Sequence, residues 1–368
     1  NGQLLFEKNS TKRMYPASTT KILTAIIALE RGNLDDIVSI PRVACNIEGS
    51  AIGLQEEERI TLNDLLYALM LNSGNDTAVA IACHIGGSVE EFTRMMNELA
   101  VRIGAENSNF KNPNGLPDPD HYTTARDMAL IAHYAMQNPE FRKIVSTRST
   151  TIQRDVPDAQ IYLENSNKLL WNYDGTIGIK TGYTNDARQC LVSAAARQDR
   201  EMIAVVFKSE GNNIWSDSRA LLDYGFNEFT KISLIDAGKC VAEVPVQYGV
   251  TETVPVQTGF SLTYNIPVNS REKIDQEILL DNSLVAPVKA GSKVGELVFY
   301  AGDRELGRVD LLAQRDVERK ILARWWPYLL LFTGLVILIF IIYLHNLARH
   351  RRWQRYKQHK IDLMNRNF

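Results

Sequence analysis

The 368-residue sequence is poor in the residues that would hold a metal or a redox centre. Its four cysteines (Cys45, Cys83, Cys190, Cys240) are far apart and form no C-x-x-C pair. Its six histidines form no H-E-x-x-H. Neither pattern offers the clustered ligands of a zinc site, so no metal or cofactor is expected. The cysteines are expected either to form disulfides outside the cytoplasm or to be buried as small apolar residues. Net charge is also scarce, at −2 overall, which argues against a nucleic-acid partner. With 45% hydrophobic and 23% charged residues and no low-complexity tract, the chain is not generally disordered. It is too long for one ordinary domain. No basic n-region or apolar h-region opens the chain at Asn1. An exported protein is then expected to have lost a signal segment or to be a fragment.

The small net charge hides an asymmetry. Residues 345–368 carry seven Lys or Arg and one acid (Asp362), leaving the tail at +6 and the rest at −8. Just before the tail, Tyr328–Leu344 is an uncharged run of 17 residues, and Trp325, Trp326 and Pro327 extend it to 20. A helix of that length spans about 30 Å, roughly the hydrocarbon thickness of a bilayer. Trp325, Trp326, Tyr328 and Tyr343 sit near its ends, as interfacial aromatics do. A buried core helix, the competing explanation, rarely runs so far without a polar face. We expect a transmembrane helix over 325–344 in a lipid bilayer. The larger basic excess follows the span, which makes 345–368 a cytoplasmic tail and places the preceding residues outside.

Upstream, apolar spacing and capping residues mark helices. Residues 1–8 suggest a short strand with Leu4 and Phe6 on one face. A helix is expected from Ser18, with Ile22, Ala25, Ile26 and Leu29 inward and Gly32 at its end. Thr61-x-x-Asp64, Ser88-x-x-Glu91 and Thr124-x-x-Asp127 are capping boxes or close relatives of them. A helix also follows the polar break at Asn72–Asn75 and ends at Gly86-Gly87. Residues 107–122 are rich in Asn and Pro and predict a loop. Strands are expected at Ile177–Thr181, Cys190–Ala195 and Met202–Phe207, then a helix near Ser216–Phe226. Helices in the middle and strands late describe an α/β (α+β) domain whose sheet need not be parallel. From about residue 234, short alternating stretches separated by Gly, Pro and Asn predict a small all-β domain over 234–314. His84 and His133 fall on helices and are expected to be structural.

Three short patterns carry chemistry: Ser18-Thr-Thr-Lys21, Ser73-Gly-Asn75 and Lys180-Thr-Gly182. The first two are common as isolated strings, so their order and placement matter more than their presence. Lys21 lies one turn after Ser18 and faces the same side. Serine is a poor nucleophile until a base takes its proton, and lysine is a base only when neutral. Burial beside a second cation would lower the pKa of Lys21, and Lys180 is the natural second cation. The start of a helix adds positive potential for a developing oxyanion. Ser73 can relay a proton, and Asn75 can hold both Lys21 and a substrate amide. The strand bearing Lys180, Thr181 and Gly182 can pair with an extended peptide.

This set resembles the serine D-Ala-D-Ala carboxypeptidases among the low-molecular-mass penicillin-binding proteins. The resemblance spans about residues 1–230. It rests on Pro16-Ala-Ser-Thr-Thr-Lys-Ile-Leu-Thr-Ala25, Leu71-Asn-Ser-Gly-Asn-Asp76, Phe110-Lys-Asn-Pro-Asn-Gly-Leu116, His121-Tyr-Thr-Thr-Ala-Arg-Asp127 and Gly178-Ile-Lys-Thr-Gly-Tyr-Thr184. It implies a penicillin-binding/β-lactamase-like catalytic domain over 1–233. Ser18, Lys21 and Ser73 would be catalytic, and Asn75, Lys180, Thr181, Gly182 and Tyr183 would bind substrate. Backbone N–H groups of Ser18 and Tyr183 would form the oxyanion hole. The implied reaction is removal of the terminal D-Ala from bacterial peptidoglycan stem peptides, with β-lactams as inhibitors. Asn114 stands where the family often has His, and little effect is expected. Ile214 stands where some members place a carboxylate-binding Arg, leaving Thr181, Lys180 or Arg188 for that contact. No E-x-x-L-N stretch lies between Ser73 and Lys180, and Glu164-Asn165 lacks the spacing. That disfavours a class A β-lactamase. The same motifs would also suit a transpeptidase or a catalytically silent wall-binding sensor.

Overall fold

A computed structural model describes residues 2–280, 283–321 and 325–365. The chain divides into two compact units. The first comprises Asn1–Lys231 with Asn265–Ser270, and the second Ile232–Tyr264 with Arg271–Phe368.

The first unit is built around α1 (Lys21–Arg31), in which every residue from Lys21 to Ala28 is buried. A helix buried all round must be packed by other elements on every side. Around it lie α2 (Leu62–Leu71), α3 (Asn75–Gly86), α4 (Val89–Arg102), α5 (Ala125–Ala135) and α6 (Pro139–Ser146). The expected caps form: Thr61, Ser88 and Thr124 each accept a hydrogen bond from the backbone N–H three residues on. α6 was not expected, although Asn138 caps it and Pro139 occupies its first turn. Two short ribbons, β1 (Ile37–Ser39) with β2 (Arg59–Thr61) and β3 (Ser149–Thr151) with β4 (Tyr162–Glu164), flank these helices in sequence. They too were unexpected; three-residue strands carry almost no periodicity.

After the short α7 (Leu169–Asn172) come β5 (Thr176–Thr184), β6 (Arg188–Arg197) and β7 (Arg200–Ser209), then α8 (Asn213–Asn227). The three strands form one antiparallel sheet in that order, with β5 at an edge. Successive side chains of β6 serve different cores, as a period of two requires. Val192 and Ala194 join the helical core, while Leu191 and Ala195 join a second cluster with Leu222 and Phe226 of α8. Residues 2–8 form no strand. Leu4 and Phe6 are about half exposed, and the partly buried Leu5 between them packs against the α8 cluster. The expected strand does not form.

The second unit is mainly β. β8 (Phe229–Ile235) leads into it and pairs with β11 (Leu262–Pro267). The larger sheet has the order β12-β14-β15-β10-β9-β13. Its strands are β9 (Cys240–Gln247), β10 (Thr253–Thr258), β12 (Ile274–Leu280), β13 (Leu284–Val285), β14 (Lys293–Ala301) and β15 (Arg304–Ala313). Val254, Val256, Leu297, Val309 and Leu311 form its apolar core. The last helix, α9, runs over Trp325–Asn365 and carries both the apolar run and most of the basic tail. It is apolar and long enough to cross a membrane. It extends well past residue 344, where the expected span ends. The four cysteines are free.

Candidate active site

The chain enters α1 through a single 3-10 turn, Ala17–Thr20, rather than directly as α-helix. That tighter winding eclipses residues three apart, so it stacks Lys21 on Ser18. Lys21 Nζ lies 2.9 Å from Ser18 Oγ. Its other neighbours are Asn75 Oδ1 and the Asn114 carbonyl oxygen, both at 2.6 Å. A neutral amine has two N–H donors and one lone pair. In that form it would donate to the two carbonyl-type oxygens and turn its lone pair to the Ser18 hydroxyl. An ammonium could only donate to Ser18. The electrostatics shift the balance toward the neutral form. Lys21 is fully buried, and burial first and the nearby Lys180 second hold its pKa well below the ordinary lysine value, against an opposing pull from Asp76. Burial likewise lowers Lys180 to about 7.

Each partner of Lys21 is held by its own brace. Asn75 opens α3, and its Nδ2 donates to the Glu48 carbonyl at 2.6 Å, which turns Oδ1 toward Lys21. The next residue, Asp76, is buried and accepts from the backbone N–H groups of Ile52 and Leu54 at 3.0 and 3.1 Å. The same segment is gripped from its other side by Arg154, which donates to the carbonyls of Ile52 and Gly53 and forms a fully buried ion pair with Glu58. The Asn114 carbonyl comes from a self-braced turn. Asn112 Oδ1 accepts from Gly115 N at 2.7 Å, and Asn114 Oδ1 from Leu116 N at 3.0 Å. Gly115 has φ +89°, and a Cβ there would sit 1.9 Å from the Ala17 carbonyl oxygen, so this loop presses directly on the chain before Ser18. Lys21 uses the main-chain oxygen of Asn114, which explains how the family's His can be replaced here.

His121 supports the turn from below. Its Nδ1 accepts from Lys111 N at 3.2 Å, so Nε2 carries the proton toward Thr20 Oγ1 at 2.9 Å. Burial pushes its pKa down to about 4, in keeping with a neutral ring. His84 by contrast pairs with Asp36 at the surface, at 3.3 Å.

The Lys-Thr-Gly segment lies in β5 against the serine turn. A Cβ on Gly182 would be 3.0 Å from Ser18 N and 3.1 Å from Thr19 N, a gap only glycine leaves open. Lys180 Nζ donates to the Thr181 carbonyl at 3.2 Å. Tyr183 is about half exposed, and its hydroxyl donates to Asn185 Oδ1 at 3.2 Å. Ser73 is buried at the break between α2 and α3, in a left-handed conformation with φ +62°. Ile214, in the first turn of α8, is buried in the apolar cluster. Four contributors were not read from the sequence: the carbonyls of Asn114 and Glu48, the Asp76 carboxylate and Arg154. Main-chain acceptors leave no side-chain signature. Asp76, one residue into a helix after Ser-Gly-Asn, looks like an ordinary first-turn acid.

A serine hydroxyl 2.9 Å from a buried lysine amine, beside a strand edge that a peptide can join, is an arrangement suited to acyl transfer. Residues 1–211 match the family model described as D-alanyl-D-alanine carboxypeptidase, and residues 229–319 match the C-terminal domain of penicillin-binding protein 5. The chain belongs to the D-alanyl-D-alanine carboxypeptidase family of serine peptidases. It is 33% identical to the D-alanyl-D-alanine carboxypeptidase DacF of Bacillus subtilis over 331 residues, which is 86% of this chain and 83% of that protein. The crystal structure of penicillin-binding protein 5 from Haemophilus influenzae superposes with a TM-score of 0.74 at 32% identity, covering 86% of this chain and 94% of that one. A Streptomyces K15 DD-transpeptidase structure is 34% identical with a TM-score of 0.58, covering 60% of this chain and 92% of that one. The architecture is thus a penicillin-binding protein 5-like catalytic domain followed by a C-terminal all-β domain.

Proposed function

We propose that Ser18 is the nucleophile that removes the terminal D-Ala from peptidoglycan stem peptides. Ser18 Oγ attacks the carbonyl carbon of the penultimate D-Ala while Lys21 takes its proton. The oxyanion is held by the backbone N–H groups of Ser18 and Tyr183. Collapse breaks the peptide bond. Ser73 passes a proton to the departing amine, and free D-Ala leaves. Water then hydrolyses the ester on Ser18, regenerating the hydroxyl. Asn75, Lys180, Thr181 and Gly182 bind the substrate, which lies on the free edge of β5. β-Lactams present a strained amide in the same geometry and acylate the same oxygen. The observation that carries this reading is the triple contact of Lys21 Nζ with Ser18 Oγ, Asn75 Oδ1 and the Asn114 carbonyl oxygen.

A fluorescent penicillin should label the wild-type chain and not Ser18→Ala. Free D-Ala should be released from diacetyl-Lys-D-Ala-D-Ala by the wild type and not by Lys21→Ala. Label retained by Ser18→Ala would refute the nucleophile. The likeness to a DD-transpeptidase supports a second reading, acyl transfer to an amine in place of water. An added amine acceptor would then divert product from hydrolysis.

We also assign residues 1–233 to the catalytic domain, 234–314 to the β domain, 325–344 to a single membrane span and 345–368 to a cytoplasmic tail. The catalytic domain then works outside the membrane. The apolar stretch of α9 supports the anchor, and the basic excess after it supports the orientation. The full chain should sediment with membranes and be released when residues 325–368 are removed; continued sedimentation would sink the anchor.

A further inference from the structure

A carboxypeptidase must recognise a free α-carboxylate, and where some members of the family place an Arg this chain has Ile214, buried in an apolar cluster. The two lysines of the site are not at the surface: both are fully buried, and Lys21 is saturated by its three partners. Two hydroxyls stand at the solvent side instead. Ser166 Oγ and Thr181 Oγ1 lie 2.6 Å apart. Ser166 is exposed and Thr181 partly so.

Ser166 joins the two walls of the cleft. Its backbone N–H donates to the Leu71 carbonyl at 3.3 Å, at the end of α2 just before the Ser73 break, while its side chain meets the Lys-Thr-Gly strand. The segment around it is fixed by two buried asparagines. Asn165 Nδ2 donates to the carbonyls of Val145 and Thr147, and Asn165 Oδ1 accepts from Asn167 N at 3.0 Å. Asn167 Oδ1 accepts from Leu169 N at 3.1 Å. Lys168, exposed on the same segment, adds a positive charge.

Strand direction decides what reaches this pair. Gly182 lies against Ser18 N, so a carbonyl attacked by Ser18 would lie level with Gly182. A peptide laid antiparallel on β5 runs toward lower strand numbers, so the residue after the attacked carbonyl falls next to Thr181. That residue is the C-terminal D-Ala. Two hydroxyls carry two protons, and their mutual bond uses one, so the pair retains a donor for an arriving carboxylate.

We propose that Ser166 is a substrate-binding residue whose hydroxyl, together with that of Thr181, receives the terminal carboxylate of the stem peptide. The proposal rests on the carboxypeptidase reading and names the group in this chain that reads the chain end. It is tested by kinetics on diacetyl-Lys-D-Ala-D-Ala and on its C-terminal amide, with wild type, Ser166→Ala and Ser166→Thr. Ser166→Ala should lower kcat/KM for the acid by about ten- to a hundredfold, the effect of one hydrogen bond to a charged group. The loss should appear mainly in KM, the amide should be unaffected, and Ser166→Thr should restore the acid. Equal losses on acid and amide would show that Ser166 merely props Thr181, and no loss on either would show that it binds nothing; both overturn the proposal. A wild-type enzyme that releases no D-Ala would overturn the carboxypeptidase reading instead.

Discussion

Lys180 is held where its charge is unwelcome, and replacing it with methionine should therefore stabilise the protein while destroying its activity. Burial brings its pKa from the ordinary 10.5 to about 7. Between those values the unfolded chain binds a proton that the native state does not, so stability rises with pH across that window. Below pH 7 the native state suffers the full cost, about 5 kcal/mol at about 1.4 kcal/mol per pH unit. The cost is about 4 kcal/mol at pH 7, about 2 at pH 9, and gone above 10.5. Lys180→Met keeps the length of the side chain and loses one 3.2 Å hydrogen bond to the Thr181 carbonyl. That bond and any change in packing do not titrate. The difference between the two pH values therefore isolates the buried amine. Urea unfolding at pH 7 and pH 9 should show the variant's advantage shrinking by about 2 kcal/mol, or roughly 4–8 °C in a thermal melt of a domain this size. Removing Lys180 also relieves Lys21, whose pKa it helps to lower, and that effect acts in the same direction. Penicillin labelling should be lost in parallel. An advantage that is absent, or equal at both pH values, would refute the claim that the site stores an unfavourable amine beside its base.

Gly182→Ala would place a methyl group 3.0 Å from Ser18 N and 3.1 Å from Thr19 N, against main chain that cannot swing aside. Acylation by penicillin should slow by about a hundredfold, the effect of displacing a reacting group by a fraction of an ångström to one ångström, and an unchanged rate in stopped-flow labelling would contradict the packing. Arg154→Met removes one partner of a fully buried ion pair and frees the carbonyls of Ile52 and Gly53. The unpaired Glu58 should lower stability by about 3–5 kcal/mol in urea unfolding, and a loss below 1 kcal/mol would show that the pair is not buried as described.

The sequence announced the groups whose identity is chemical and concealed those whose contribution is main chain. Ser18, Lys21, Asn75 and Lys180 could be named because no other side chain does what each does. Helix starts at Thr61, Ser88 and Thr124 were equally legible, because a capping oxygen acts within three residues of itself. The Asn114 carbonyl was not, since any residue offers a carbonyl and this one acts on a lysine 93 positions away. The strand expected at residues 1–8 failed for a related reason: Leu4, Leu5 and Phe6 are all apolar, so only tertiary contacts decide that Leu5 packs inward. Ser166 combines both difficulties. A serine between two asparagines looks like loop, and only the fold shows that its neighbours are buried and that its hydroxyl meets Thr181. What the motifs encode is therefore the proposed reacting pair. What the fold adds is the setting of Lys21: burial first and Lys180 second lower its pKa, while Ser18 Oγ, Asn75 Oδ1 and the Asn114 carbonyl oxygen converge on its amine from a turn, a helix start and a loop that local sequence rules treat separately. Losing the Asn75 or the Asn114 oxygen would leave Lys21 a buried, under-satisfied amine.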